Sequence, residues 1–345
     1  MPRFLYYLIV VGLAAGFMAF FLRNAQLDRV ADAVATARWE LVVVALVVTI
    51  VSYVFRVIRW RYLLRPLGHV RFSTAFRSTV MGFAATSLVP GRIGEVVRPY
   101  VLARKEDLSA SAAFATIVVE RLLDMCSVML IFLLTRGFDS PIPSEASASV
   151  LRALEWAAGS VLVIALSLLW LASVAALKPA SVELYVSKLR RLISSRLADG
   201  LARMSKGFAE GCGILHERRY LIVVAVWSLL LWGSLGASVW LVTVAFGISM
   251  PGTSVATLLA LVSFGVVVPT PGGVGGYHAA YQLGATVLYG ASEAAAIGAA
   301  FVLHGVTFLP ITILGVFFMM QEGIRFNRLQ SLDSSSVGET NTFAK

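Results

Sequence analysis

Charged residues and cysteines are both scarce in this chain of 345 residues. Charged side chains make up 14% of it, against about 25% in an average soluble domain. Hydrophobic residues make up 58%, and the mean hydropathy is +0.82. A water-soluble fold is excluded, because its core cannot hide so many long apolar runs. The two cysteines, Cys126 in an apolar run and Cys212 in a basic segment, build neither a disulfide framework nor a thiolate metal cluster. Also missing are a phosphate-binding P-loop, a dinucleotide fingerprint, a metal-spaced His/Cys set and a Gly-x-Ser-x-Gly elbow. No catalytic residue, metal ligand or cofactor is therefore assigned, and an enzyme is not expected.

What the chain has in abundance is membrane-length hydrophobic sequence. A span needs about 20 mostly apolar residues, and six such runs are expected at 4–22, 41–64, 109–135, 157–177, 220–246 and 292–320. The first follows Arg3 and superficially resembles a secretory signal. Phe17, Phe20 and Phe21 stand where a cleavage site needs small residues, so it is read as a retained span. The net charge of +10 belongs to residues flanking these runs, which makes it an orientation signal rather than a nucleic-acid footprint. Seven Lys or Arg residues fall within 65–105 and nine within 178–219. Five, Arg23, Arg29, Arg38, Arg136 and Arg152, fall in the connectors on the other side. The crowded segments, and with them both termini, are expected in the cytoplasm, with the protein in the cell membrane.

Two further apolar segments, 72–100 and 252–289, begin and end on the same side under this assignment, and each is expected to be a re-entrant hairpin. Both carry glycine and proline at the tip: Pro90-Gly91-Arg92-Ile93-Gly94-Glu95 in the first, Pro269-Thr270-Pro271-Gly272-Gly273-Val274-Gly275-Gly276 in the second. The order span, polar connector, span, hairpin, span then occurs twice. Three spans per half make the second half enter from the opposite face, as in an inverted-topology repeat. The fold class read from this pattern is an all-α membrane protein with a single transmembrane domain over 1–330. Its halves run to about 145 and from about 146 to 325, and a short polar tail over 331–345 is expected to be disordered and cytoplasmic.

Broken hydrophobic segments at matching positions of two halves point to a binding site near the midplane. Glu120, Arg121 and Asp124 interrupt an otherwise apolar run, at about 2.5–3.5 kcal/mol for each charge placed at the centre of a helix. Glu120 and Asp124 share a helix face, with Arg121 about 100° round. Their partners are expected elsewhere, foremost Arg92 and Arg98 of the first hairpin, with Glu95 alongside. A buried ion-pair lock and an anion-binding pocket both satisfy this pattern. In the second hairpin, Pro271, Gly272, Gly273, Gly275 and Gly276 form either a tight bend or a backbone nest for an anion. Tyr277 and His278 follow it. Tyr277 and Tyr281 are read as belt residues or headgroup flanks, and His278 and His304 as structural histidines or a proton relay. Arg56, Arg59, Arg61 and Arg65 are read as interfacial anchors or contacts to anionic lipid.

Taken together, Gly91-Arg92-Ile93-Gly94-Glu95 with Arg98, Glu120-Arg121 with Asp124, and Pro269-Thr270-Pro271-Gly272-Gly273 with Gly275 resemble the flippase-like family built on the transmembrane region of lysylphosphatidylglycerol synthases. The resemblance covers roughly residues 5–320 and implies a stand-alone member without the aminoacyl-transferase domain. It also implies a lipid translocase for a polar, anionic or glycosylated headgroup. Many relatives carry a glutamate shortly after the glycine loop, whereas this chain reads Gly276-Tyr277-His278-Ala279-Ala280. A transferase acting on a lipid-linked substrate and a transporter of a small soluble anion remain the alternatives.

Overall fold

The computed structural model describes residues 25–89, 92–136, 145–177, 204–267 and 270–323, with scattered positions between 12 and 23. Among the described residues every regular element is helical, so the fold is all-α. In chain order the helices are α1 (Leu27–Ala35), α2 (Trp39–Leu63), α3 (Phe72–Leu88), α4 (Gly94–Glu106) and α5 (Ala110–Thr135), followed by α6 (Glu145–Leu177), α7 (Arg218–Ala245), α8 (Val255–Gly265), α9 (Gly276–Leu283) and α10 (Glu293–Gln321). The expected first span, residues 178–203 of the connector over 178–219, and the tail lie largely outside the described residues. So do Pro90, Gly91 and Pro269.

Among the described residues, four helices are long and apolar enough to cross a membrane: Trp39–Leu63, Ser147–Leu177, Arg218–Ala245 and Glu293–Gln321. At 1.5 Å per residue, α5 also reaches about 39 Å, but its apolar run is broken by Glu120, Arg121 and Asp124. The helix expected to begin near 157 starts twelve residues earlier, at Glu145. The Ala- and Ser-bearing stretch before the hydrophobic run has helix-forming composition and packs Leu151 and Leu154 against Val128, Met129 and Phe132 of α5.

The longest packed seam joins α2 to α7. It is narrow because Ala45, Thr49 and Ser238 line it, with Thr49 Oγ1 and Ser238 Oγ 2.9 Å apart. At one end of α2, Arg38 Nη2 donates to the Val244 carbonyl (2.8 Å), and Val34 and Phe246 close over Gly298 of α10. At the other end, Lys105 and Arg77 both reach Glu322, Arg71 pairs with Glu106, and Gly213 rests on Pro66. The two ends of the bundle are thus tied by different parts of the chain.

The broken segments each fold back on themselves. Helices α3 and α4 touch where Gly82 faces Gly94: a Cβ on Gly94 would lie 1.8 Å from the Gly82 carbonyl oxygen. Helices α8 and α9 touch where Gly265 faces Gly276, with a Cβ on Gly265 only 2.4 Å from the Gly276 carbonyl oxygen. Only glycine permits backbones to approach so closely. α3 packs on α10, where Gly315 meets Val80, and α8 packs on α5.

Replacing Gly94 with alanine should therefore force α3 and α4 apart and cost about 1–3 kcal/mol, the usual range for overpacking. Gly305 lies in the interior of α10, where an added methyl group would meet nothing within 4 Å. It should tolerate alanine and gain up to about 1 kcal/mol of helix propensity. Thermal unfolding of the two variants in detergent should shift in opposite directions.

Candidate functional site

Three helices converge on one buried cluster of charge. α2 supplies Arg56 and Arg59, α4 supplies Arg98, and α5 supplies Glu120, Arg121 and Asp124. By helix rise the α2 residues lie about 6–10 Å, and Arg98 about 12 Å, from the helix ends at Leu63 and Glu106. Glu120 is the hub. Its Oε1 lies 2.8 Å from Arg121 Nη2, 3.0 Å from Arg98 Nη1, 3.2 Å from Arg59 Nη2 and 3.8 Å from Arg56 Nη1. Asp124 holds Arg59 Nη1 at 2.6 Å and Arg121 Nη2 at 3.0 Å, with Arg56 Nη1 at 3.8 Å.

A neutral shell fixes these groups. Trp232 Nε1 of α7 donates to Asp124 Oδ1 (3.1 Å), and Arg59 Nη1 donates to Ser228 Oγ (3.1 Å). Arg98 Nε donates to Thr79 Oγ1 (3.1 Å), and its guanidinium lies 3.8 Å from the centre of the Trp60 ring. Trp60 is itself held through Nε1 on Thr116 Oγ1 (3.0 Å). Arg56 sits over Phe83 at 5.0 Å. The arrangement supplies cation–π support as well as ion pairing.

The charges do not balance. Four guanidinium groups, which stay protonated in proteins, face two carboxylates. Several donors within the cluster have no hydrogen-bond partner: Arg56 Nε and Nη1, Arg59 Nε and Nη2, Arg98 Nη2 and Arg121 Nε. Glu120 Oε2 and Asp124 Oδ2 are likewise without one. Orphaned buried donors are costly and are normally retained only where something can satisfy them.

The tip of the first broken segment carries the other two predicted groups. Arg92 adopts φ +55°, a left-handed conformation that costs a non-glycine residue about 1–2 kcal/mol. Its Nη2 donates to the Val266 carbonyl (2.9 Å), and its Nη1 lies 3.9 Å from Glu95. Both side chains are more than a third exposed, and Glu95 is close enough to Arg121 for their charges to interact. The two tips therefore touch, Gly272 approaching Ser87 as well.

At the second tip, Gly272, Gly273 and Gly275 all adopt positive φ. His304 Nε2 donates to the Gly272 carbonyl (2.8 Å), and Gly275 N donates to His278 Nδ1 (3.4 Å). The His278 and His304 rings lie 4.7 Å apart, centre to centre, with Tyr277, Phe301 and Phe308 packed around them. Pro271 and Gly276 begin the turn and the helix that follow.

Several expectations need correction. Arg56 and Arg59 are not surface anchors: both are buried, and Arg59 pairs with both carboxylates of α5, Asp124 at 2.6 Å and Glu120 at 3.2 Å. Arg121 does pair with Glu120 and Asp124 despite its offset on the helix, its long side chain bending back to both. Arg92 meets Val266 rather than those carboxylates. Tyr277 and Tyr281 belong to no membrane belt. Both are buried, and the Tyr281 hydroxyl shares a 2.7 Å hydrogen bond with Thr243. Spaced three apart on a helix, Arg56 and Arg59 share one face, but nothing local in the sequence shows that the carboxylates of α5 stand opposite it.

The family model of the lysylphosphatidylglycerol synthase TM region matches residues 7–315. The glycosyltransferase AglD of Haloferax volcanii is 28% identical over 335 residues, covering 89% of this chain and 53% of AglD. A UPF0104 membrane protein of Methanocaldococcus jannaschii is 29% identical over 115 residues, covering 32% of this chain and 34% of that protein. The chain thus spans about half, or less, of the length of these curated relatives.

Glu120→Gln keeps the shape of the hub but removes the charge that four guanidinium groups share. A loss of about 3–5 kcal/mol is expected, as when one partner of a buried ion pair is removed. Glu95→Gln, at a half-exposed and longer contact, should cost less than about 1 kcal/mol. Unfolding midpoints of both variants in detergent check this ordering.

Proposed function

The chain belongs to the family built on the lysylphosphatidylglycerol synthase transmembrane region, and from that membership and its buried charge imbalance we propose that this membrane protein is a lipid translocase. A polar or anionic headgroup enters between the two broken segments while its acyl chains stay in the bilayer. Arg92 and Arg98 meet the headgroup together with Arg56 and Arg121. Glu95, Glu120 and Asp124 hold the arginines in place, and the turn from Pro271 through Gly276, with Tyr277 and His278, lines the opposite wall.

The observation that carries this reading is the set of unpartnered guanidinium donors inside a helical bundle, since guanidinium forks match phosphate oxygens. The packing supports a two-fold repeat. α2 packs on its counterpart α7, α3 on α10 as α8 on α5, and α4 on α5 as α9 on α10. In this reading the broken segments are re-entrant, the charged ends of α2 and α4 face the cytoplasm of a cell-membrane protein, and rocking of one half against the other exchanges access.

A second reading is favoured by the similarity to a glycosyltransferase: a group transfer onto a lipid-linked substrate at the same charged cluster, with Glu120 or Asp124 as base. Both carboxylates are already committed to guanidinium groups, which weakens them as bases.

Proteoliposomes carrying fluorescent lipids with anionic, zwitterionic and glycosylated headgroups separate these readings. Translocation by the wild type should fall at least about tenfold in Arg92→Ala, which removes one charge-assisted contact. Arg56→Gln should behave alike at matched reconstitution. Absence of movement for every headgroup in the folded wild type, with consumption of an added sugar donor, would favour the transferase.

A further inference from the structure

Resting on the reading of this cluster as a headgroup site, we infer that its ligand is a phosphate carrying two negative charges, a phosphomonoester or a diphosphate esterified at both ends, rather than a singly charged phosphodiester. The cluster holds Arg56, Arg59, Arg98 and Arg121 against Glu120 and Asp124, so two positive charges are left over. Adding the Arg92–Glu95 pair at the tip leaves that excess unchanged. Arginine cannot shed its proton to correct the balance, and an uncompensated charge in a low-dielectric interior is strongly unfavourable. A dianion neutralises the cluster, whereas a monoanion leaves one charge stranded.

The donor geometry agrees with the charge count. Arg56 and Arg98 have side chains 9% and 4% exposed, yet Arg56 Nε and Nη1 and Arg98 Nη2 have no partner. Arg121 Nε is also free, on a side chain 28% exposed. Arg121 is thus the lip of the cluster and Arg56 and Arg98 its floor. A terminal phosphate presents three oxygens to such a set, whereas a diester has only two unesterified oxygens and carries a second ester arm that must also be accommodated. A phosphate group is available either on a lipid or as a free ion, and the charge argument applies to both.

The test is equilibrium binding to the full chain in detergent, using an alkyl monophosphate, the matching dialkyl phosphate, a diphosphate with one alkyl group on each phosphorus and inorganic phosphate. At pH 7.5 the monophosphate and diphosphate should bind at least about tenfold more tightly than the dialkyl phosphate. Between pH 7.5 and 5 the monophosphate should lose most of that advantage, because its second ionisation lies near 6. Arg56→Gln, which removes one excess charge, should bring monophosphate and dialkyl phosphate to within about threefold. Arg121→Gln, on the more exposed lip, serves the same purpose if Arg56→Gln does not fold. Equal affinity for monoester and diester at pH 7.5, or no binding of any phosphate, overturns the inference. A preference for alkyl over inorganic phosphate without any monoester preference sinks the dianion and spares the lipid reading. Inorganic phosphate binding as tightly as the alkyl monophosphate does the reverse, upholding the dianion and assigning the site to a soluble anion.

Discussion

Four guanidinium groups lie within 4 Å of one carboxylate oxygen, Oε1 of Glu120. The placement of α2, α4 and α5 depends on that convergence, because a charge left alone at this depth is costlier than any packing defect nearby. The three helices are thereby locked in register: Arg59 from α2, Arg98 from α4 and Glu120 from α5 have to arrive at the same level. Trp60, Thr79, Thr116, Ser228 and Trp232 then have their positions dictated, each stacking on or hydrogen-bonding to a member of the cluster or its immediate support.

The second constraint is backbone satisfaction. A chain that breaks its helix inside an apolar bundle strands carbonyl groups that water cannot reach. Here side chains from other elements supply the donors: Arg92 serves the Val266 carbonyl and His304 serves the Gly272 carbonyl. This gives a reason for the strained backbone at Arg92. The left-handed conformation at the first tip aims its guanidinium at the second tip, and the charge-assisted bond offsets the conformational cost. Gly94 against Gly82 and Gly276 against Gly265 bring the arms of each broken segment close enough for the tips to meet.

Much of this was legible in the sequence. Hydropathy located the long helices, and glycine and proline marked both breaks, because each signal acts over a local window. The charged residues of α5 were recognisable by their cost in an apolar run, and Arg98, with Arg92, by its place on the broken segment that precedes them. Arg56 and Arg59 were not, since basic residues near the end of a hydrophobic helix usually snorkel outward. Only the tertiary arrangement shows that the carboxylates of α5 stand opposite them. Tyr281 was misplaced for the same reason: its partner, Thr243, is 38 residues away on another helix. The meeting of Arg92 with Val266, 174 positions apart, has no local signature at all.

The two broken segments carry different chemistry. All the ion pairs of the buried cluster join residues between 56 and 124, within the first half of the chain. The corresponding region of the second half is built from neutral groups: His278, His304, Tyr277, and Tyr281 bonded to Thr243. Contacts across the middle, such as Trp232 on Asp124, Ser228 on Arg59 and Thr49 on Ser238, each have at least one neutral partner. The rocking proposed above would break hydrogen bonds worth about 0.5–3 kcal/mol each, together with the pairs of Lys105 and Arg77 with Glu322 at one end of the bundle, and would leave every ion pair of the cluster intact. On the proposed reading, the charge stays in the half that holds the anion and the freedom to move lies in the half that does not.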